Sequence, residues 1–305
     1  MGQVSIAHIE KVLYYLNENG ETETLREFGI NAETLRRYER KMRFWETKQP
    51  KVLLIDIETT PLQVHCWGTW KQRIGHEQVI NDWFMLSYSA KWLFDSNIYG
   101  SVLTPKEALA KDDARIAREL WRLFDQADVI IGHNILGFDL PKAQTRFLMN
   151  KLAPPSPFRV IDTLKVAQQN FRFASNKLDY IGQLLLNDKK IHTEYQLWLR
   201  CLDGDATSLE EMLTYNKKDV LLLEEAYVFL RPYIKNHPNM GIYQESIEPT
   251  CPTCGSTDID ECGHYTTSVN RYLAFRCKSC GAICRSRALD TPLKCKAGIM
   301  MPTAR

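Results

Sequence analysis

The sequence predicts an α/β domain, in which helices cover a mixed β-sheet, between a helical N-terminal module and a cysteine-rich C-terminal module. Strand-like runs and helical periodicity alternate through the middle of the 305-residue chain, as they do in α/β folds. Helical periodicity alone precedes Gln49, and six of the nine cysteines fall between Cys251 and Cys284. We therefore expect three domains, over residues 1–48, 49–240 and 246–305.

The first domain is predicted to contain three short helices. Apolar residues recur at helical spacing over residues 5–18, a second helix is expected near 21–28, and Asn31 is a candidate N-cap for a third. A tight connection before a basic last helix is typical of a helix-turn-helix module, whereas a solvated face of a docking bundle is the alternative. The candidate DNA contacts are Arg36, Arg37 and Arg40.

The central domain is predicted to alternate strands and helices. Early strands joined by short turns, followed by helix–strand alternation, indicate a mixed sheet flanked by helices. The strands are expected at residues 51–57, 84–93, 97–103, 128–133 and 158–162. The helices are expected at residues 111–126, 140–151, 177–187 and 208–234.

The first of these strands carries two acids in the segment VLLIDIETTP. Because side chains alternate along a strand, Asp56 and Glu58 point the same way while Ile55 and Ile57 point into the core. Two neighbouring carboxylates repel each other unless a proton or a cation lies between them. A hard divalent cation with oxygen ligands is the natural occupant.

Two further segments carry acids in comparable settings. In GHNILGFDLP, Asp139 falls where a loop enters a helix after a buried strand, and it can act simply as a cap. In LTYNKKDVLLL, Tyr215 and Asp219 are four residues apart and share one face of a helix. A surface or capping role explains any one of these acids taken alone, but their combination favours a metal site.

Taken in order, the segments DIE (56–58), NILGFD (134–139) and YNKKD (215–219) resemble the three motifs of the DnaQ-like 3′–5′ exonucleases, which have a ribonuclease-H-like fold. More narrowly, they resemble the tyrosine-type subgroup that includes the proofreading domains of family A and family B DNA polymerases. The stretch 175–190 is similar to the helix that precedes the third motif in those enzymes. The resemblance covers about residues 51–235.

The resemblance implies a catalytic site with two Mg²⁺ or Mn²⁺ ions. Asp56 would bridge both ions, and Glu58 and Asp219 would help to hold the one that activates water. Asp139 would support the other ion, and Tyr215 would orient the attacking water together with Glu58.

The resemblance also implies contacts with the end of the substrate. Thr59, Asn134 and Phe138 would lie beside the terminal nucleotides, with Asn134 donating a hydrogen bond and Phe138 stacking or wedging. Core packing is the alternative for Phe138. Trp67 and Trp70 follow the first motif and can stack on bases, but packing within the protein is the favoured interpretation.

The cysteine-rich domain contains two C-x-x-C-G knuckles, which at this separation are typical of a tetrahedral zinc site and resemble a zinc ribbon. One structural Zn²⁺ is therefore expected, and it would fold a domain with little core of its own. Paired disulfides, or Cys262 or Cys284 as a substitute ligand, are the alternatives. The candidate zinc ligands are Cys251, Cys254, Cys277 and Cys280.

Composition narrows the class of protein. Hydrophobic residues make up 44% and charged residues 25% of the chain, and the net charge is +2, which is typical of a soluble globular protein. No apolar run is long enough to span a bilayer, and the N-terminus lacks a signal-peptide layout, so we expect a cytoplasmic protein with no membrane partner. Residues 251–305 carry eight basic and four acidic residues, so this domain is a candidate for contact with nucleic acid or for docking a protein.

The sequence therefore predicts a metal-dependent 3′–5′ exonuclease that hydrolyses nucleic acid with a free 3′ end, with single-stranded DNA favoured. The alternatives are an RNA exonuclease, a structure-specific endonuclease, and a non-catalytic nucleic-acid-binding or regulatory factor on the same fold. No polymerase-like region follows, so we expect a stand-alone nuclease or a subunit that acts with a polymerase or another replication protein. The combination of domains is viral or mobile-element in style.

Overall fold

The computed structural model describes residues 6–36, 38–39, 50–186, 194–244, 248–290 and 298–300. The chain divides into two compact units. Residues 51–234 form one, and the terminal segments 1–50 and 235–305 are assigned to the other. The three-domain boundaries expected from the sequence stay a prediction. Among the described residues, no helix has the length and apolar character needed to cross a membrane.

The N-terminal segment is helical, as predicted. It contains α1 (Ile6–Asn19), α2 (Glu21–Glu27) and α3, of which residues 32–36 and 38–39 are described. A small apolar core joins these helices through Ile9, Val12, Leu35 and Tyr38.

The start of α3 has the predicted cap, because Asn31 Oδ1 accepts a hydrogen bond from the Thr34 backbone N–H at 2.8 Å. Arg36 donates from Nε to the carbonyl oxygen of Ala32 at 3.1 Å. Arg37 and Arg40 lie outside the described residues. The helix-turn-helix interpretation therefore stays a prediction.

Residues 51–234 contain a five-stranded mixed sheet in the order β5-β4-β1-β6-β7, together with a separate two-stranded ribbon, β2-β3. β4 pairs antiparallel with β1 and β5, whereas β6 pairs parallel with β1 and β7. The sheet is therefore mixed, with β1 at its centre. The strands are β1 (Val52–Thr59), β2 (Gln63–Val64), β3 (Val79–Asn81), β4 (Met85–Trp92), β5 (Ile98–Val102), β6 (Val129–Gly132) and β7 (Arg159–Asp162).

Helices flank the sheet. Apolar side chains of α5 and α6 join the main core with Leu53, Ile55 and Ile57 of β1, while α10 packs on β1, β4 and β5. The helices are α4 (Pro105–Ala110), α5 (Ala114–Gln126), α6 (Asp139–Met149), α7 (Thr163–Asn170), α8 (Leu178–Leu186), α9 (Tyr195–Leu202) and α10 (Ala206–Leu230), with 3-10 turns at His76–Gln78 and Arg231–Tyr233. A further 3-10 turn, Met240–Tyr243, belongs to the other compact unit.

Polar contacts hold α10 against the sheet. Asp205 caps its first turn by accepting from the Ser208 backbone N–H at 2.8 Å. Nine residues beyond Tyr215, Glu224 Oε2 lies 2.5 Å from Nζ of the buried Lys91 on β4, and its other oxygen accepts from the Phe94 backbone N–H at 2.7 Å. Because Glu224 is held by both a buried ammonium group and a backbone N–H, these contacts fix the position of α10 along β4.

The predicted strands and long helices occur close to their expected positions, but three predictions need correction. The connection from β1 to β4 is not a short turn, because residues 61–84 include the ribbon β2-β3. The helices α7 and α9 were not predicted, since eight residues are too few to establish a helical period. The predicted helix at 111–126 begins only at Ala114, and Lys111 instead ends α4 in the left-handed conformation.

The C-terminal segment contains β8 (Ile259–Thr266), β9 (Arg271–Cys277) and β10 (Ile283–Arg285), which form an antiparallel sheet in the order β10-β9-β8. Its buried cluster consists of Cys251, Cys277 and Ala282. A core of this size is too small to stabilise the segment by burial alone.

Candidate active site and cysteine cluster

Three carboxylates from two elements meet on one face of the central sheet. Asp56 and Glu58 project from β1, and Asp219 projects from α10, which packs on the same face. One oxygen from each of the three lies within 4.8 Å of the others. A cluster of oxygen ligands with three formal negative charges fits a hard divalent cation.

A buried amide fixes the Asp56 carboxylate. Asn216 is fully buried on α10, and its Nδ2 donates a short hydrogen bond to Asp56 Oδ2. The amide oxygen of Asn216 in turn accepts from Ser87 Oγ on β4 at 3.3 Å. Asn216 was not among the predicted site residues. The available signal was its position three residues before Asp219, which places both side chains on one face of the helix.

Asp139 lies next to this group but not within it. The parallel pairing of β1 with β6 covers only Val52 to Leu54, so the Ile57 backbone N–H is free to donate to Asp139 Oδ1 at 3.1 Å. The pKa of Asp139 is raised to about 7, because burial of the side chain and, to a smaller extent, the charge of Asp162 outweigh the lowering effect of that hydrogen bond.

Asp162 organises the loop that precedes α6. Its Oδ1 accepts from the Asn134 backbone N–H at 3.0 Å, and its Oδ2 accepts from the Leu136 backbone N–H at 3.2 Å. The same carboxylate caps α7 through Leu164, at 3.0 Å. Asp162 was also missed from the sequence, although an aspartate directly before a helix is an N-cap signal.

The loop presents Asn134 in a constrained conformation. Asn134 has a φ of 65°, a left-handed conformation that asparagine tolerates. A Cβ atom at position 137 would lie 2.7 Å from Asn134 Oδ1, so a side chain there would displace the Asn134 amide. His133 contacts Thr163 Oγ1 at 3.0 Å and the Asn176 carbonyl oxygen at 2.8 Å.

Tyr215 lies one helical turn before Asp219 and is buried, with 6% of its surface exposed. Its ring meets the Trp198 ring of α9 edge to face, with the centroids 6.3 Å apart. The helix α9 therefore packs against the Tyr215 ring.

Two clefts border the carboxylate group. The polar cleft has a volume of about 640 Å³ and includes Asp56 and Asp219 in its wall. Its other polar lining residues are His133, Asn134, Gln168, Asn176, Lys177 and Asp179. The aromatic cleft has a volume of about 710 Å³ and includes Glu58 and Thr59, with Trp83, Phe138, Lys142, Tyr195 and Trp198.

The aromatic cleft contains a lysine among rings. Lys142 Nζ lies 3.6 Å from the centroid of Trp83 and 5.4 Å from that of Phe138. Burial lowers the pKa of Lys142. Phe138 packs against the main core and also lines the cleft, so both expected roles are compatible with its position.

The four predicted zinc ligands form one cluster. The Sγ atoms of Cys251 and Cys280 are 3.6 Å apart, as are those of Cys254 and Cys277, and all four lie within 4.8 Å of one another. These distances are too long for disulfides, but they are close to the separation of about 3.8 Å that Zn–S bonds of about 2.3 Å impose in a tetrahedron. The cluster therefore fits a zinc ribbon.

The backbone of the second knuckle favours a thiolate. Burial opposes ionisation of Cys277, but N–H groups of Ser279 and Cys280 and the neighbouring thiols lower its pKa to about 7. Cys262 and Cys284 lie outside the group of four, so the alternative ligands are not needed to complete it.

A family model of the RNase H superfamily matches residues 100–231. No curated protein matches the chain. The matched span contains Asn134, Asp139 and Asp219 but begins after β1, which carries Asp56 and Glu58. The match and the mixed sheet flanked by helices define an RNase H-like domain, which indicates a nuclease-type function, a nucleic-acid substrate and the use of divalent metal ions.

Proposed function

We propose that the protein is a 3′–5′ exonuclease that hydrolyses the terminal phosphodiester bond of a single strand, with DNA as the favoured substrate. The observation that carries this proposal is the meeting of Asp56, Glu58 and Asp219 between two clefts. Asp56 and Asp219 line the polar cleft and Glu58 lines the aromatic cleft, so a nucleotide bound at the acids can contact both clefts.

The donor set fits two Mg²⁺ or Mn²⁺ ions. Asp56, Glu58 and Asp219 would hold them, and Asp139 would support the second ion from its position beside Ile57. Such ions lower the pKa of bound water and stabilise the entering and leaving oxygens of a phosphodiester. In the cysteine cluster, Cys251, Cys254, Cys277 and Cys280 would hold one Zn²⁺, which would stabilise the fold of the ribbon.

The remaining residues of the site position the reactants. The Tyr215 hydroxyl and the Glu58 carboxylate would orient the attacking water on the line of the bond that breaks. Asn216 would keep Asp56 in one orientation by its hydrogen bond, since a free carboxylate rotates.

The two clefts suit different parts of a nucleotide. The rings of the aromatic cleft, among them Phe138, would stack on the terminal base, while Lys142 would neutralise the phosphate. Asn134 and Lys177 in the polar cleft would contact sugar and phosphate oxygens.

The test is hydrolysis of a 5′-labelled single-stranded oligonucleotide with Mg²⁺ or Mn²⁺. We expect a ladder of products shortened from the 3′ end, no product in a chelator, and no product from Asp56→Asn. Asp203→Asn is the matched control, because Asp203 is an exposed carboxylate of the same unit outside both clefts.

Two substrates separate the proposal from its alternatives. A circular single strand has no end, so its cleavage would contradict an exonuclease and indicate an endonuclease. An RNA strand of the same sequence tests the preference for DNA. Metal-dependent binding without hydrolysis of any of these substrates would contradict the proposal and favour a non-catalytic binding factor.

A further inference from the structure

The chain between β1 and β4 leaves the sheet at the aromatic cleft and returns to it. Pro61 and Leu62 line this cleft at the start of the segment, and Trp83 lines it at the end. Between them lie the ribbon β2-β3 and a loop at its tip. We call residues 61–83 the arm.

The loop of the arm is closed at its base by one side chain. Gln78 donates from Nε2 to the His65 carbonyl oxygen at 3.0 Å and accepts at Oε1 from the Gly75 backbone N–H at 2.8 Å. The His65 backbone N–H donates to the Gln78 carbonyl oxygen at 2.9 Å. On the ribbon, Asn81 accepts from Lys111 Nζ at the end of α4, at 2.5 Å. The tip is therefore held on an anchored support.

Two indoles at this tip face solvent. Trp67 is 99% exposed and Trp70 is 79% exposed, so the expectation that they pack within the protein is wrong. An indole gains more free energy from burial than most side chains, and tryptophan is enriched at binding interfaces. Both indoles lie within the loop that the Gln78 hydrogen bonds close.

Positive charge is interleaved with these rings. Lys71 and Arg73 follow Trp70 directly, and no acidic residue occurs from residue 59 to residue 76. The backbone at Lys71 is left-handed, with a φ of 49°, and its Nζ lies 6.0 Å from the centroid of the Trp70 ring. Exposed rings next to cations form the pattern by which proteins bind single strands, with bases on the rings and phosphates on the cations.

We propose that the tip of the arm binds the single-stranded part of the substrate upstream of the end that is hydrolysed. Trp67 and Trp70 stack on bases, and Lys71 and Arg73 contact phosphates. This inference rests on the proposed function, because the same strand occupies the aromatic cleft. Trp67 lies five positions after Leu62, so the two residues are at most about 17 Å apart. That distance corresponds to about five stacked nucleotides at about 3.4 Å each.

The first test compares substrates of two lengths. For the double variant Trp67→Ala/Trp70→Ala we expect KM to rise about ten- to hundredfold on a single strand of about 20 nucleotides. The reason is that each base stacked on an indole adds its own share of binding free energy, and the variant loses both. Hydrolysis of the p-nitrophenyl ester of thymidine 5′-phosphate, which cannot reach the tip, should be unchanged. Phe229→Ala is the control, since it removes a half-exposed ring at the far end of α10.

The second test measures binding without hydrolysis. In the Asp56→Asn protein with a chelator, an oligodeoxynucleotide or oligoribonucleotide of about 20 nucleotides should quench tryptophan fluorescence, and loss of both indoles should remove most of the quenching. For Lys71→Ala/Arg73→Ala, the slope of log affinity against log salt should fall by about 1.4, the value for two phosphate contacts on a single strand.

The outcomes distinguish the inference from the function on which it rests. If the double tryptophan variant loses activity equally on long and small substrates, or on neither, the inference is overturned while the nuclease stands. If the protein shows no hydrolysis of any substrate, but its two indoles still bind the strand, the proposed nuclease activity is overturned and the proposed binding surface stands. An unchanged salt slope in the Lys71 and Arg73 variant would show that these cations contact no phosphate and would also overturn the inference.

Discussion

The carboxylate group and the cysteine cluster are two candidate metal sites built on opposite principles. The four cysteines come from two short knuckles, their sulfurs face one another at tetrahedral distances, and Cys251 and Cys277 are buried. The carboxylates of Asp56 and Asp219 come from elements far apart in sequence and border an open cleft.

The difference follows from what each metal ion would do. A structural ion needs a complete ligand set, so four thiolates close around it and leave no position for a substrate. A catalytic ion needs open positions for water and a phosphate oxygen, so the protein offers fewer ligands and must orient them from outside. Asn216 supplies this outer support at Asp56 of the carboxylate group, and backbone N–H groups supply it at Cys277.

The largest effect on metal content and folding should come from removing a ligand of the cysteine cluster. In Cys254→Ser we expect zinc content to fall from about one ion per chain to almost none, because structural zinc sites of this type contribute about 10 kcal/mol or more to folding. Residues 248–290 should then become sensitive to protease, while residues 51–234 stay resistant. Elemental analysis and limited proteolysis measure both, with Cys66→Ser as the control at an exposed cysteine outside the cluster. A zinc-free chain with a resistant ribbon would contradict a structural zinc.

At the carboxylate group, removal of a ligand should lower activity without lowering stability. Glu58→Gln removes one of three adjacent negative charges, so we expect hydrolysis to fall about a thousandfold or more while the thermal stability of the metal-free protein is unchanged or higher. Initial rates and a thermal melt in chelator test the two halves of the prediction. Lower stability together with normal activity would show that Glu58 has a structural role.

Asn216→Ala tests whether the outer support matters. Loss of the hydrogen bond to Asp56 should weaken apparent Mn²⁺ affinity or activity about ten- to hundredfold, the usual cost of losing such a partner. Higher Mn²⁺ should partly restore the rate, which a general loss of packing would not allow. Ser87→Ala removes only the hydrogen bond from Ser87 to Asn216, so it should have a smaller effect on Mn²⁺ affinity and activity.

Much of the scaffold could be predicted because its signals are local. Alternation along β1 places Asp56 and Glu58 on one face, a period of 3.6 residues predicts α10, and paired cysteines with glycine predict the knuckles. The structure brings Asp56, Glu58 and Asp219 together. The catalytic roles of these acids, of Asp139 and of Tyr215 stay predictions.

The features that were missed depend on tertiary structure. In the sequence, Asn216 is one of several polar residues on a long helix. Its amide gains its two partners, Asp56 and Ser87, only when α10 packs on the sheet. The exposure of Trp67 and Trp70 is a property of the folded loop, and no hydrophobicity pattern in the sequence records it. Tryptophan is largely buried on average, and this average led to the wrong expectation that Trp67 and Trp70 pack within the protein.

The smallest effect that separates the two sites is a pH dependence at Asp139. Its pKa of about 7 means that, without metal, a proton competes for this carboxylate at neutral pH. Divalent ions must displace that proton, so apparent Mn²⁺ affinity should rise up to about tenfold per pH unit below pH 7 and level off above it. Titration of Mn²⁺ at several pH values measures this slope. Asp139→Asn should remove the slope in this range, although its affinity will be lower throughout.

Stability of the metal-free protein should show the opposite sign. Because burial raises the Asp139 pKa above its unfolded value of about 3.9, this group stabilises the folded state fully only below about pH 4. Its contribution should decrease as pH rises from about 4 to about 7, by at most about 1.4 kcal/mol per pH unit. Urea unfolding in chelator at several pH values tests this, with Asp139→Asn lacking the decrease. Equal slopes in both proteins would show that Asp139 is already ionised without metal, and its buried carboxylate would then need another source of positive charge.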